Sequence, residues 1–162
     1  MDSLDRQIIT ELQKNGRLSY AELATTLHIS ESTARNRVNR LLKQDLITIS
    51  AIPNLKLMGY TFIGIMGLQV KLTKRKVIAE QLAQRPEVLY VMSVTGEHDL
   101  MAIVAARSAT EFADFNDNFV ASLAGVSRTQ TYVWLNVYKG KEYVLDTKQL
   151  VGNLDVKVDR SQ

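Results

Sequence analysis

The chain has 162 residues, 46% of them hydrophobic and 23% charged, a composition that suits one globular domain or two small ones. It holds no cysteine, which removes disulfides, thiol nucleophiles and cysteine-based zinc sites together. No apolar run approaches the ~18 residues that cross a membrane, and MDSLDRQ at the start has no secretory character. A net charge of +3 is too small to identify a nucleic-acid partner by itself. A cytoplasmic protein is the simplest expectation.

In chain order, Leu4, Ile8, Ile9 and Leu12 predict a helix ending at Asn15-Gly16, with the glycine as a left-handed cap. Ser19 with Glu22 three residues on is a capping box for a second helix, which buries Leu23, Ala24 and Leu27. Ser30 caps a third, where Ala34, Val38, Leu41 and Leu42 form one apolar stripe. Ser32, Asn36, Asn39, Arg40 and Lys43 lie opposite that stripe, with Arg35 and Arg37 flanking it. Such a helix offers amides, hydroxyls and cations to base edges and phosphates. Any solvated helix also carries charge opposite its apolar side. Here the charge is mostly of one sign, with Glu31 alone against it, and the intervening residues are Ser, Thr and Asn rather than ion-pairing Glu. A compact helix-turn-helix also precedes the β-rich Ile47–Ile52, a candidate wing. The expected double-stranded DNA contacts are Arg17, Ser30, Ser32, Thr33, Arg35, Asn36, Arg37, Asn39, Arg40 and Lys43.

Pro53-Asn54 interrupts the pattern. Beyond it, β runs are expected at 61–71, 88–95, 100–106 and 127–138, with helices at 73–85 and 110–123, the latter opened by a Ser108/Glu111 capping box. The order βαββαβ is ferredoxin-like. The expected fold is α+β: a winged helix-turn-helix head (1–53), a linker or hinge (54–60), a ferredoxin-like domain (61–139) and a tail (140–162). In the first of these strands Phe62, Met66, Leu68 and Val70 share one side and Ile63 and Ile65 the other, while LMAIVAA is apolar on both. A half-exposed antiparallel sheet should alternate apolar and polar. A second copy is therefore expected over the uncovered face, and a dimer would space two reading helices about 34 Å apart for successive major grooves.

Four motifs in order, LDRQIITELQKNGRLS, AELATTLHISESTARNRVNRLLKQDLI, VTGEHDLM and LAGVSRTQTYV, give the chain a resemblance to the leucine-responsive/asparagine-responsive (Lrp/AsnC) family of bacterial and archaeal transcription regulators. The resemblance covers about residues 2–139. It implies a DNA-binding head, a C-terminal domain that binds a small-molecule effector, typically a free amino acid, and homodimers that assemble further, often into octamers. Departures occur at His28 and Asp45, where glycine is usual, at Ala124, where proline is usual, and at His98, where an aromatic is common.

The resemblance places the effector near Gly96–Asp99. Gly96 permits a tight connection and close backbone approach. Asp99 suits an α-ammonium group, or folds onto its own turn amides. Glu97 and His98 are expected to be exposed, free to read a ligand side chain or simply solvated. Thr129 and Thr131 share one side of the last strand and either complete a polar pocket or reflect β-propensity alone. No metal, cofactor or catalytic set is expected. His28 and His98 fall in different halves, and no Ser-His-Asp, phosphate-loop or paired-carboxylate pattern occurs. Two alternatives stand beside the regulator. One is a low-specificity architectural DNA-binding protein. The other, less favoured, is an enzyme like the sirohaem decarboxylases that resemble the family; those use histidine and arginine around the tetrapyrrole, and this ligand half has His98 alone.

Overall fold

The computed structural model describes residues 1–138, so the tail expected over 140–162 lies outside the described residues. One compact unit is Met1–Ala51, and a second begins at Ile52.

The first unit is three helices, α1 (Ser3–Lys14), α2 (Tyr20–Leu27) and α3 (Glu31–Lys43). Each start is capped by a short polar side chain that satisfies an orphan amide. Ser19 and Glu22 form the expected box on α2, and Ser30 accepts from the Thr33 amide at 3.1 Å on α3. An unanticipated box opens α1, where Asp2 and Asp5 each accept from the other's backbone N–H at 2.9 Å. Helix α1 does not end on a left-handed glycine. Asn15 leaves the helix in extended geometry (φ −147°), and its Oδ1 accepts from the Arg17 amide at 3.0 Å. An asparagine that ties down its own turn makes the glycine cap unnecessary.

Left-handed backbone appears instead at His28 (φ 53°) and Asp45 (φ 52°). At both, paired carbonyl contacts close the helix. Ile29 and His28 donate to Ala24 and Thr25, and Leu46 and Asp45 donate to Leu41 and Leu42. These bonds hold a conformation that costs a non-glycine residue about 1–2 kcal/mol. Ile8, Leu23, Ala24, Ala34, Val38 and Leu41 form the buried centre that locks the helices together. The wing expected over 47–52 is not a strand. Ile49 is 48% exposed, and no strand in this unit is available to pair with it. A strand without a hydrogen-bonding neighbour has no ladder to stabilise it.

The second unit has the predicted βαββαβ order: β1 (Phe62–Val70), α4 (Arg75–Ala83), β2 (Val88–Ser93), β3 (Leu100–Ala106), α5 (Ala109–Asn118) and β4 (Val126–Val133). The strands lie in the order β2-β3-β1-β4, every neighbouring pair antiparallel. Both helices are shorter than predicted because their ends tighten into 3-10 turns, Leu72–Lys74 before α4 and Val120–Ser122 after α5. The Ser108/Glu111 pairing is half a box. Ser108 accepts from the Glu111 amide at 3.1 Å, but the Glu111 carboxylate accepts from the Arg107 amide at 2.6 Å. Strand β4 ends at Val133, across from Gly64 of β1, and the Trp134 amide makes a last bond to the Ile63 carbonyl at 2.8 Å.

Alternation sorts the sheet into two faces. Met66, Leu68, Leu100, Ala102 and Val104 meet Ile78, Leu82 and Phe115 of the helices. The other face carries Ile63, Leu89, Ile103 and Ala105, and Leu55 and Tyr60 pack against these. The stretch expected as a linker therefore contributes to the second unit's core from 55 onward. The rest of that face stays open, with Tyr90 48% and Tyr132 49% exposed.

Candidate nucleic-acid interface and effector loop

Ser32, Asn36, Asn39 and Lys43 fall at i, i+4, i+7 and i+11 of α3 and are all exposed, opposite buried Ala34, Val38 and Leu41. At the start of that line the Ser30 hydroxyl lies 2.9 Å from that of Ser32 and 2.7 Å from that of Thr33. Helix start and hydroxyls together favour an anion. Arg35 is exposed beside the line, its Nη2 2.8 Å from Glu31 and its guanidinium 5.3 Å over the Tyr20 ring. Among the described residues Arg17 and Lys43 make no ion pair, so their charge is available to phosphates.

Arg37 and Arg40, expected among the DNA contacts, are committed elsewhere. Arg37 donates to Asp2 and, at 3.1 Å, to Asp5. Arg40 Nη2 reaches both Asp5 oxygens, at 2.7 and 2.6 Å. The Asp5 side chain has no exposed surface, and a buried carboxylate needs such partners. The Asp5 amide, then Arg37, holds the Asp2 carboxyl down at about 2 from its ordinary 3.8. Asp5 is lowered too, chiefly by the Asp2 amide, with Arg37 and Arg40 adding to it against the cost of burial. The same carboxylates, Asp2 first, raise Arg37. The cationic excess read from α3 is thus largely balanced by α1. The D-x-x-D spacing before an apolar run signals the capping box of α1 but not these ion pairs.

In the second unit, the loop from Gly96 to Asp99 joins β2 to β3. Gly96 has φ 124°, and nothing lies within 4 Å of the position a Cβ would take, so the backbone there is open to approach. Asp99 is tied to β1: its amide donates to the Leu68 carbonyl at 3.0 Å, and its Oδ2 accepts from the Val70 amide at 2.8 Å. That oxygen serves a neighbouring strand rather than its own turn. Glu97 is exposed, and its carbonyl accepts from Gln69 Nε2 at 3.0 Å.

His98 is not exposed as expected. Its ring lies flat on Gly67, where an added Cβ would meet ring atoms at 2.5–2.7 Å. A glycine inside a strand marks such an approach, and that signal was legible. Gln130 stands directly across from Gly67 in the β1–β4 register. His98 Nδ1 and Gln130 Oε1 are both buried, and neither finds a partner among the described residues. Thr129 and Thr131 do not join this group. Their register partners are Leu68 and Met66, which face the helices, so they occupy the opposite side of the sheet from His98. Thr129 lines a groove of about 190 Å³ with Asn116 and Arg128. Among the described residues no cluster of three His, Asp or Glu side chains suits a metal, and no helix is long and apolar enough to cross a membrane.

The AsnC-type helix-turn-helix domain matches residues 1–42, and the Lrp/AsnC ligand binding domain matches residues 63–144. An uncharacterized HTH-type transcriptional regulator of Pyrococcus horikoshii, PH0140, is 34% identical over 140 residues, 86% of this chain and 89% of that one. The HTH-type transcriptional regulator FL11 of Pyrococcus furiosus is 31% identical over 86% of this chain and 92% of its own. Among solved structures, E. coli AsnC superposes with a TM-score of 0.82 at 26% identity, covering 88% of this chain and 97% of that one. The Neisseria meningitidis regulator NMB0573, solved as an L-Met complex, shares the fold with a TM-score of 0.82 at 24% identity, covering 86% of this chain and 93% of its own.

Proposed function

Because the chain belongs to the Lrp/AsnC family of transcriptional regulators, with a helix-turn-helix for DNA and a ligand-binding domain, we propose that it is a sequence-specific regulator whose DNA affinity is tuned by an amino acid. The observation that carries the DNA half is the exposed line Ser32, Asn36, Asn39 and Lys43 on a helix buried along its opposite side. In this reading Ser32, Arg35, Asn36 and Asn39 address base edges. Arg17, Lys43 and the hydroxyls of Ser30 and Thr33 grip phosphate, and Arg37 and Arg40 brace the helix through Asp5.

Asn36→Ala is expected to relax sequence preference by roughly 1–3 kcal/mol at the base pair it reads. Lys43→Ala should instead weaken all duplexes together and reduce the salt slope by about one unit. Binding titrations at several salt concentrations separate the two effects. Equal behaviour of both variants contradicts the assigned face.

The effector half is supported by the open backbone at Gly96 and the partnerless polar atoms of His98 and Gln130 behind the loop. An amino acid is the class proposed, as in the NMB0573 complex. The exposed tyrosines of the open sheet face support a homodimer, with larger assemblies built from it, acting in the cytoplasm. Sedimentation at micromolar concentration should give a dimer or larger species; a monomer contradicts the assembly.

A further inference from the structure

We propose that Tyr20, on the first turn of α2, is a positioning residue for sequence readout, a role that rests on α3 being the reading helix. Tyr20 touches two members of the exposed face at once. Its hydroxyl donates to Asn39 Oδ1 at 3.3 Å, and its ring carries the Arg35 guanidinium at 5.3 Å. The ring is itself held, packed against the apolar centre of the first unit and lining a groove with Leu12, Leu23, Val38 and Ile49. A side chain fixed at its base thus constrains two longer ones at their tips, one by a hydrogen bond and one by attraction to the ring face.

The two constraints act on different groups. The hydroxyl engages the Asn39 carbonyl oxygen, which fixes the orientation of the amide and leaves its nitrogen free to donate to a base acceptor. Arg35 is gripped twice, by the Tyr20 ring and by Glu31, so its remaining N–H groups hold one orientation. Ordering a rotamer-rich side chain on binding lowers affinity by roughly two- to tenfold. A side chain ordered beforehand avoids that loss for the base pair it fits. Tyr20 would therefore govern discrimination more than total affinity, without touching DNA.

The test uses the full chain and a randomised duplex library, followed by titration of the selected duplex and its single base-pair changes. Arg35→Ala and Asn39→Ala first identify the base pairs that each residue reads. Tyr20→Phe keeps the ring and removes the hydroxyl. It should relax preference roughly two- to tenfold at the Asn39-dependent base pairs, leave the Arg35-dependent pairs unchanged, and add nothing on top of Asn39→Ala. Tyr20→Leu should relax both sets, while the salt slope stays that of the native chain. A Tyr20→Phe chain with native preference at the Asn39-dependent pairs overturns the proposal, as does uniform weakening that tracks a lower melting temperature. If the native chain enriches no sequence, α3 is not a sequence reader and the role of Tyr20 falls with it. Native selectivity retained in both variants removes the role of Tyr20 alone.

Discussion

An Asp5→Ala chain is expected to unfold its first unit at a temperature where the second is still folded. The Asp5 carboxylate accepts from the Asp2 amide, from Arg37 and twice from Arg40, and its side chain is fully enclosed. It joins the start of α1 to the middle of α3, which no other polar contact among the described residues does apart from Arg37 with Asp2. Hydrogen bonds to a charged group are each worth roughly 1.5–3 kcal/mol. Removing the carboxylate should therefore cost about 3 kcal/mol, after allowance for the partial exposure of both arginines. At roughly 0.05–0.15 kcal/mol per residue, a unit of this size has about 3–8 kcal/mol in all, so the loss takes a third or more of it. The only tryptophan, Trp134, belongs to the second unit, so its fluorescence reports that unit while helical circular dichroism is weighted toward the first. The two signals should separate in the variant. A single native-like transition contradicts the assignment.

Acid gives the same contact a second test. Both carboxyls titrate below their ordinary 3.8, Asp2 at about 2, so each stabilises the folded form fully above that ordinary range. That stability should disappear as pH falls from about 4 toward 2, and the acid-induced loss should be smaller in Asp5→Ala.

Gly67→Ala is the second large expected effect. The new Cβ would sit 2.5–2.7 Å from three atoms of the His98 ring. The backbone beside the ring is held, because the next residue, Asp99, is bonded to β1 through both amide and carboxylate, so the ring must leave its place on Gly67 to admit the methyl group. Overpacking of this kind costs about 1–3 kcal/mol and displaces the Gly96–Asp99 loop. The variant should keep DNA binding and lose its response to effector. Adding His98→Ala should recover most of the stability, since it empties the space the methyl group enters. Thermal unfolding of the double-mutant cycle measures that coupling. Additive losses would show that Gly67 and His98 do not share the contact.

The elements were legible wherever one local signal dominated. The helix starts at Ser19 and Ser30 followed from short-range chemistry, and the βαββαβ order followed from alternation; His28 and Asp45 stood out only through the family resemblance, as residues where glycine is usual. What was not legible depended on partners distant in sequence. Nothing near Arg37 or Arg40 announces Asp2 and Asp5, more than thirty residues earlier, so the ion pairs of these two cations were not legible. Ile47–Ile52 reads as a strand by composition, yet its unit provides no strand to pair with. Thr129 and Thr131 do share one side of β4, but which side depends on the register with Leu68 and Met66. Gly67 was the missed opportunity, because a strand glycine already signals that another group approaches the backbone.

The central claim is that one chain couples an amino acid to DNA. It is tested most directly by titrating a library-selected duplex with the full protein in the presence and absence of each amino acid. The account predicts that at least one amino acid shifts the DNA affinity by about 5–150-fold. The duplex must then shift the affinity for that amino acid by the same factor, and Gly67→Ala should abolish the coupling while sparing DNA binding. Affinity for the selected duplex that is unchanged by every amino acid, or no greater than for random duplex, would contradict it.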